Sequence, residues 1–243
     1  MVLIVVALLL GAGSMSAHGL LAAALRIAGL LTALTGLTIG VHTHGWVTGL
    51  DAASTAWLAA HRSAEFDSAA WLVLYLGSPA KTAAAGLICG ALLSWGARSV
   101  IPGVVVIGTV AGAMLVETAL KAVVVEPLTH PYAATHSFPS GHVTGIAALL
   151  GIIAVCAGIG RSRTTRAFLA GSVVLAVPVV AVTRIYIGAH YLSDVIGGAV
   201  LAALFVTLGA TVITAFRARS GKDGPPQGYS GLATNADVAF PQR

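Results

Sequence analysis

The chain has 243 residues, of which 57% are hydrophobic, 6% aromatic and only 9% charged, with a formal net charge of +5 and a mean hydropathy of +0.93. A soluble domain carries about a quarter charged residues, so this composition excludes a soluble fold and points to an integral membrane protein. The basic excess does not make a nucleic-acid binder, because Lys and Arg are scattered at the ends of apolar runs rather than gathered on one face with interleaved aromatics.

In chain order, residues 2–13 form a short apolar run with no basic residue ahead of it. A cleaved signal peptide has a positive leading region, so a short extra helix or an extension of the first span is expected here, with a signal-like start as the alternative. Apolar runs follow at about 20–42, 70–95, 100–125, 142–159, 167–189 and 193–216, each near the roughly 20 residues that cross a hydrocarbon core. The expected fold is all-α, a polytopic helical bundle of six main spans. Its expected parts are an apolar segment over 1–19, a six-span domain over 20–216 and a disordered cytoplasmic tail over 217–243. Ala, Val, Leu, Ile and Gly dominate the spans, a mix that suits close helix packing in lipid. Cys89 and Cys156 both fall inside apolar runs, so no disulfide framework is expected.

Between the first two runs, residues 43–69 hold Asp51, His61, Arg62, Glu65 and Asp67 beside Trp46 and Trp57, the pattern of an interfacial amphipathic stretch. Arg98 follows the second span; Arg161, Arg163 and Arg166 follow the fourth; Arg217, Arg219 and Lys222 follow the sixth. With alternating spans all three segments share one side, and the positive-inside rule makes that side the cytoplasm. Residues 43–69, the 126–141 loop and the turn near His190 then face the extracytoplasmic side. The tail beyond Arg219 is polar and rich in Gly and Pro, the composition of a disordered segment.

Ionisable groups at the ends of apolar spans are costly and call for a reason. Lys121 lies near the outer end of its span, four residues after Glu117, so an i, i+4 ion pair is the alternative to a ligand-binding role. Pro139-Ser140-Gly141-His142 opens the fourth span, where free N–H groups and the helix dipole make an anion site. Ser140 adds a hydroxyl donor there, and His142 is placed to give a proton to a leaving oxygen. Arg184 offers a planar fork that matches phosphate oxygens, or it is a headgroup snorkeller. His190 and Asp194, four apart, fall one turn apart on one helix face. Such a carboxylate fixes the imidazole tautomer and supports a base or nucleophile; the alternative is a buried polar pair that satisfies itself. His130, His136, His142 and His190 also raise a zinc reading, but ordinary zinc spacings are shorter.

Together, Lys121, the Pro-Ser-Gly-His turn and Arg184-x5-His190-x3-Asp194 occur in this order at outer span ends, which closely resembles the type 2 phosphatidic acid phosphatase family. The resemblance covers residues 115–200 in motifs, and Thr183 replaces the family's serine before the arginine. It implies that His190 attacks phosphorus to give a phosphohistidine, that Asp194 orients it, and that His142 protonates the leaving group. Lys121, Ser140, the Gly141 N–H and Arg184 would hold the phosphoryl oxygens, with no metal and no cofactor. The first motif departs from the family's Lys-x6-Arg-Pro, because Leu128 stands at the arginine position, Thr129 at the proline and Glu126 where many relatives have a further base. His130 and His136 are candidates to replace the lost charge.

The expected function is therefore a membrane phosphatase acting at the extracytoplasmic face on a lipid phosphate or diphosphate, of polyprenyl diphosphate, phosphatidylglycerophosphate or phosphatidate type. The alternative is a catalytically weak or inactive relative that binds lipid phosphates. Its expected partners are the lipid substrate and the bilayer, not nucleic acid; the sequence sets no oligomeric state.

Overall fold

The structure, a computed structural model, describes residues 17–125 and 136–219. Among them are eight helices: α1 (Ala17–His42), α2 (Val47–Ala60), α3 (Ala64–Leu76), α4 (Pro79–Ala97), α5 (Ile101–Val123), α6 (Gly141–Gly158), α7 (Arg163–Tyr186) and α8 (Leu192–Arg219). Six are long and apolar enough to cross a membrane, namely α1 and α4 to α8. The protein is thus the all-helical, multi-pass bundle that its composition implies. Residues 1–16 and 220–243, with the expectations attached to them, lie outside the described residues.

One expected boundary is wrong. The second run does not span from residue 70; it is cut into α3 and the spanning α4. Ser78 is extended (φ −60°, ψ 148°) before Pro79 at the first helical position. A residue preceding proline is pushed out of the helical region by the ring, while proline itself is well suited to start a helix. The interfacial stretch is correspondingly longer and folds as the two short helices α2 and α3. Their exposed faces carry Trp46, Leu50, Trp57, Phe66 and Trp71, the residue types that anchor at a membrane–water boundary.

α6 and α8 form the centre of the bundle. The core runs through Val106, Val143, Ile152, Ala202 and Val206, while α1, α4, α5 and α7 turn side chains such as Leu25, Leu92, Leu115 and Leu175 outward. Small residues let backbones approach, as where Gly90 of α4 faces Gly103 of α5 with a notional Cβ 3.4 Å from its Cα. The ends of α4, α6 and α8 and the start of α5 meet around one cavity of about 410 Å³ lined by Arg161 and Arg217. The end of α5, the start of α6, the end of α7 and the start of α8 therefore lie at the other end of the bundle, and every motif residue found in the sequence is there.

Candidate active site

The Arg184-x5-His190-x3-Asp194 spacing is a helix–corner–helix. α7 closes with the Gly188 N–H on the Ile185 carbonyl and the Ala189 N–H on the Arg184 carbonyl, while Gly188 takes φ +75°. This paired closure is the Schellman stop, and the left-handed residue it needs is most cheaply a glycine. Arg184 is thereby left in the last turn of α7, and His190 falls in the corner just before α8.

His190 and Asp194 are in contact, but not along a helix face as the spacing alone predicted. His190 precedes α8, and the pair forms across the helix start. Asp194 Oδ2 accepts from His190 Nδ1 at 3.0 Å and from the Tyr191 N–H at 3.0 Å. The second bond is half of a capping box, in which an acidic third residue reaches back to the N-cap amide. One carboxylate thus ends the helix and turns the ring. Both side chains are buried, His190 6% exposed and Asp194 0%. Burial, and after it the charges of Arg184 and Lys121, hold His190 well below the ordinary histidine value against a smaller opposing effect of Glu117. The ring is therefore neutral. With Nδ1–H donated to Asp194, Nε2 carries the lone pair.

The turn before α6 is tied to the same helix. The Ser140 N–H donates to the Asp194 carbonyl at 3.0 Å, and a cis Phe138–Pro139 peptide precedes it. Gly197 and Gly198 make the approach possible. A Cβ at Gly198 would stand 2.7 Å from the Ser140 carbonyl oxygen and 2.9 Å from Thr144 Oγ1, and one at Gly197 would meet the Phe138 ring. Ser140 is the N-cap of α6, yet its hydroxyl does not cap. Ser140 Oγ and Arg184 Nε are both buried without a hydrogen-bond partner among the described residues. Buried polar atoms normally have partners, and such orphans mark a place where a ligand supplies one. Here they lie beside a helix N-terminus, where an anion is favoured.

Lys121 is in the last turn of α5. Its Nζ lies 2.5 Å from Glu117 Oε1, so the i, i+4 ion pair read from the spacing is present. The pair also borders the motif turn: a Cβ at Gly141 would lie 2.7 Å from Glu117 Oε1 and 3.6 Å from Lys121 Nζ. The ion-pair and ligand-binding readings of Lys121 are thus compatible. His142, in the first turn of α6, is within electrostatic reach of Arg184, His190 and Lys121. His136 Nδ1 lies 3.3 Å from the Val124 carbonyl. His130, Glu126, Leu128 and Thr129 lie outside the described residues, and among the described residues no three His, Cys, Asp or Glu side chains gather as a metal-ligand set.

Lys121, Ser140, Gly141, His142, Arg184, His190 and Asp194 all lie in the region, residues 102–218, that matches the PAP2 superfamily. The match runs from the start of α5 to the end of α8. The bundle is also similar to the crystal structure of the first transmembrane PAP2 type phosphatidylglycerolphosphate phosphatase from Bacillus subtilis, with a TM-score of 0.68 and 21% identity. The likeness covers 78% of this chain and 96% of that one, and at such identity it is a likeness of fold. No protein of curated function matches the chain by sequence.

Two buried acids beside these residues carry no sequence signal that would assign them to the site. Glu117, 3% exposed, is legible in the sequence only as an i, i+4 partner for Lys121. Asp51 of α2, outside the PAP2 match, is legible only as one charge of the interfacial stretch. It is 9% exposed, and its carboxylate accepts from the Ser193 N–H at 2.8 Å and the Ser193 hydroxyl at 2.7 Å.

Proposed function

We propose that this membrane phosphatase hydrolyses a phosphate monoester or diphosphate carried on a lipid, through a phosphohistidine at His190, on the extracytoplasmic face of the membrane. The observation that carries the reading is the buried His190 ring, fixed through Nδ1 by Asp194, beside the Ser140 hydroxyl and the Arg184 Nε, both without a partner among the described residues. A binding protein needs the cations of this cluster, but it has no use for an oriented nucleophile.

In the proposed reaction, His190 Nε2 attacks phosphorus as the bond to the leaving oxygen breaks, and His142 gives that oxygen its proton. Arg184, Ser140, Lys121 and the first N–H groups of α6 neutralise the phosphoryl oxygens, which is most of what phosphoryl transfer asks of a protein. Water, deprotonated by His142, then attacks the phosphohistidine and releases phosphate. Asp194 stabilises the charge that His190 acquires in the first step. The site lies at the end of the bundle beside the Trp-rich α2 and α3. That position suits a substrate with its chain in lipid and its phosphate in water, such as phosphatidylglycerophosphate, phosphatidate or a polyprenyl diphosphate.

The test is phosphate release from these three lipid classes by the purified full chain, with and without chelator, beside His190→Ala. Release that resists chelation and is lost in the variant is expected. Release that survives His190→Ala would remove His190 as nucleophile, and binding without any release would leave a lipid-phosphate binder.

A further inference from the structure

The start of α8 raises a question that its own sequence does not answer. N-cap positions favour Ser, Thr, Asp or Asn, whose side-chain oxygen accepts an amide of the first turn. Tyr191 stands at that position, and its side chain has no such acceptor to offer. Asp194 satisfies the Tyr191 amide, which leaves the amides of the first turn itself. One of these, Ser193 N–H, is taken by Asp51 at 2.8 Å from a helix 142 residues earlier in the chain. The other carboxylate oxygen of Asp51 accepts the Ser193 hydroxyl at 2.7 Å.

Asp51 is buried, and no ion pair among the described residues involves it. A carboxylate without a cation is expensive to bury unless hydrogen bonds hold it. Its two donors both come from Ser193, and it faces the positive end of a 28-residue helix, where a negative group is favoured. Resting on the proposed role of His190, we propose that Asp51 is a positioning residue: it caps α8 in trans and so holds Asp194, the next residue, at the geometry that orients His190.

Five hydrogen bonds then converge on the consecutive residues Ser193 and Asp194. Asp51 fixes Ser193, the Asp194 carboxylate fixes Tyr191 and His190, and the Asp194 carbonyl holds the Ser140 amide. Without Asp51 the Ser193 amide loses its acceptor and the first turn of α8 is free to fray. The Asp194 carboxylate then samples positions from which it does not meet His190 Nδ1. Substrate contacts through Lys121 and Arg184, on α5 and α7, are not on this path. Ser140, whose amide bonds the Asp194 carbonyl, is the phosphate contact that does lie on it, so the loss falls more on turnover than on substrate binding.

The experiment compares wild type with Asp51→Ala, Asp51→Asn and Ser193→Ala in the purified full chain, using phosphatidate in mixed micelles as the probe. Asp51→Ala should lower kcat on the order of tenfold to a hundredfold, the scale of small misplacements of reacting groups, with KM little changed. Asp51→Asn retains an oxygen for the Ser193 amide and should recover most of the rate. Ser193→Ala keeps that amide bond and should lose less than Asp51→Ala. A second readout needs no turnover: the Nδ1–H proton resonance of His190, identified by its absence in His190→Ala. It should broaden or vanish in Asp51→Ala and persist in Asp51→Asn. A wild-type rate in Asp51→Ala, equal losses in the Ala and Asn variants, or a loss matched by the unfolded fraction would each overturn the proposal. If wild type itself releases no phosphate, the phosphatase reading fails, and an unaltered resonance in Asp51→Ala then still overturns this one.

Discussion

At the scale of single residues, the site asks His190 to be buried, neutral and turned the right way at once. Burial and the neighbouring Arg184 and Lys121 hold it below its ordinary value, and the sign of the consequence for stability follows. In the unfolded chain an imidazole takes a proton below about pH 6.5, while the folded site refuses it. The unfolded state then binds more protons, so stability is lost as pH falls. Above that range both states are neutral and the contribution is constant. Wild-type Tm should therefore drop more between about pH 7.5 and about pH 5 than that of His190→Asn, which has no proton to refuse. Parallel curves would mean that His190 titrates normally. Legibility at this scale divides by distance along the chain. The i, i+4 pairs Glu117–Lys121 and His190–Asp194 could be read from spacing, although the second forms across a helix start. Asp51–Ser193 could not, because the only local trace of it is a tyrosine where a capping residue belongs.

At the scale of elements, the motif turn before α6 is positioned by what α8 lacks. Gly197 and Gly198 clear a path for Phe138 and the Ser140 carbonyl, so the two halves of the site are set against each other by main chain rather than by long side chains. Gly198→Ala introduces a Cβ 2.7 Å from a carbonyl oxygen, and neither partner is a flexible side-chain end. The expected cost is about 1–3 kcal/mol, the range for overpacking a filled site, with activity falling further because the Ser140–Asp194 bond is displaced. A thermal melt beside an activity assay checks this, and an Ala variant with wild-type Tm and rate would show that the helices separate freely. Gly171→Ala, with nothing within 4 Å of its Cβ position, is the control and should leave both unchanged. Hydropathy placed the spans well because each is a long apolar run. It missed the break at Ser78–Pro79 because α3 and α4 are both apolar, so only the backbone restriction of proline separates them.

At the scale of the whole molecule, charge is divided between the two ends of the bundle. Every acidic residue among the described ones, Asp51, Glu65, Asp67, Glu117 and Asp194, lies at the end that holds the site, whereas Arg98, Arg161, Arg163, Arg166, Arg217 and Arg219 lie at the other with no acid among them. Some acids at the site end are internally compensated, as in the Arg62–Asp67 bridge at 3.0 Å, with Arg62 also over the Tyr186 ring. Basic residues near span ends are retained on the cytoplasmic side during insertion, and acids contribute little to that choice. The arginine-rich end should therefore be cytoplasmic, which would put His190 outside. Single cysteines decide it in a background where Cys89 and Cys156 are replaced by alanine. Ala64→Cys at the start of α3 and Thr164→Cys at the start of α7 are both at exposed positions. A membrane-impermeant maleimide added to intact cells should label Ala64→Cys and reach Thr164→Cys only after lysis. The reverse pattern would put the phosphate site in the cytoplasm, and the substrate would then have to be a lipid whose phosphate is presented on the inner leaflet.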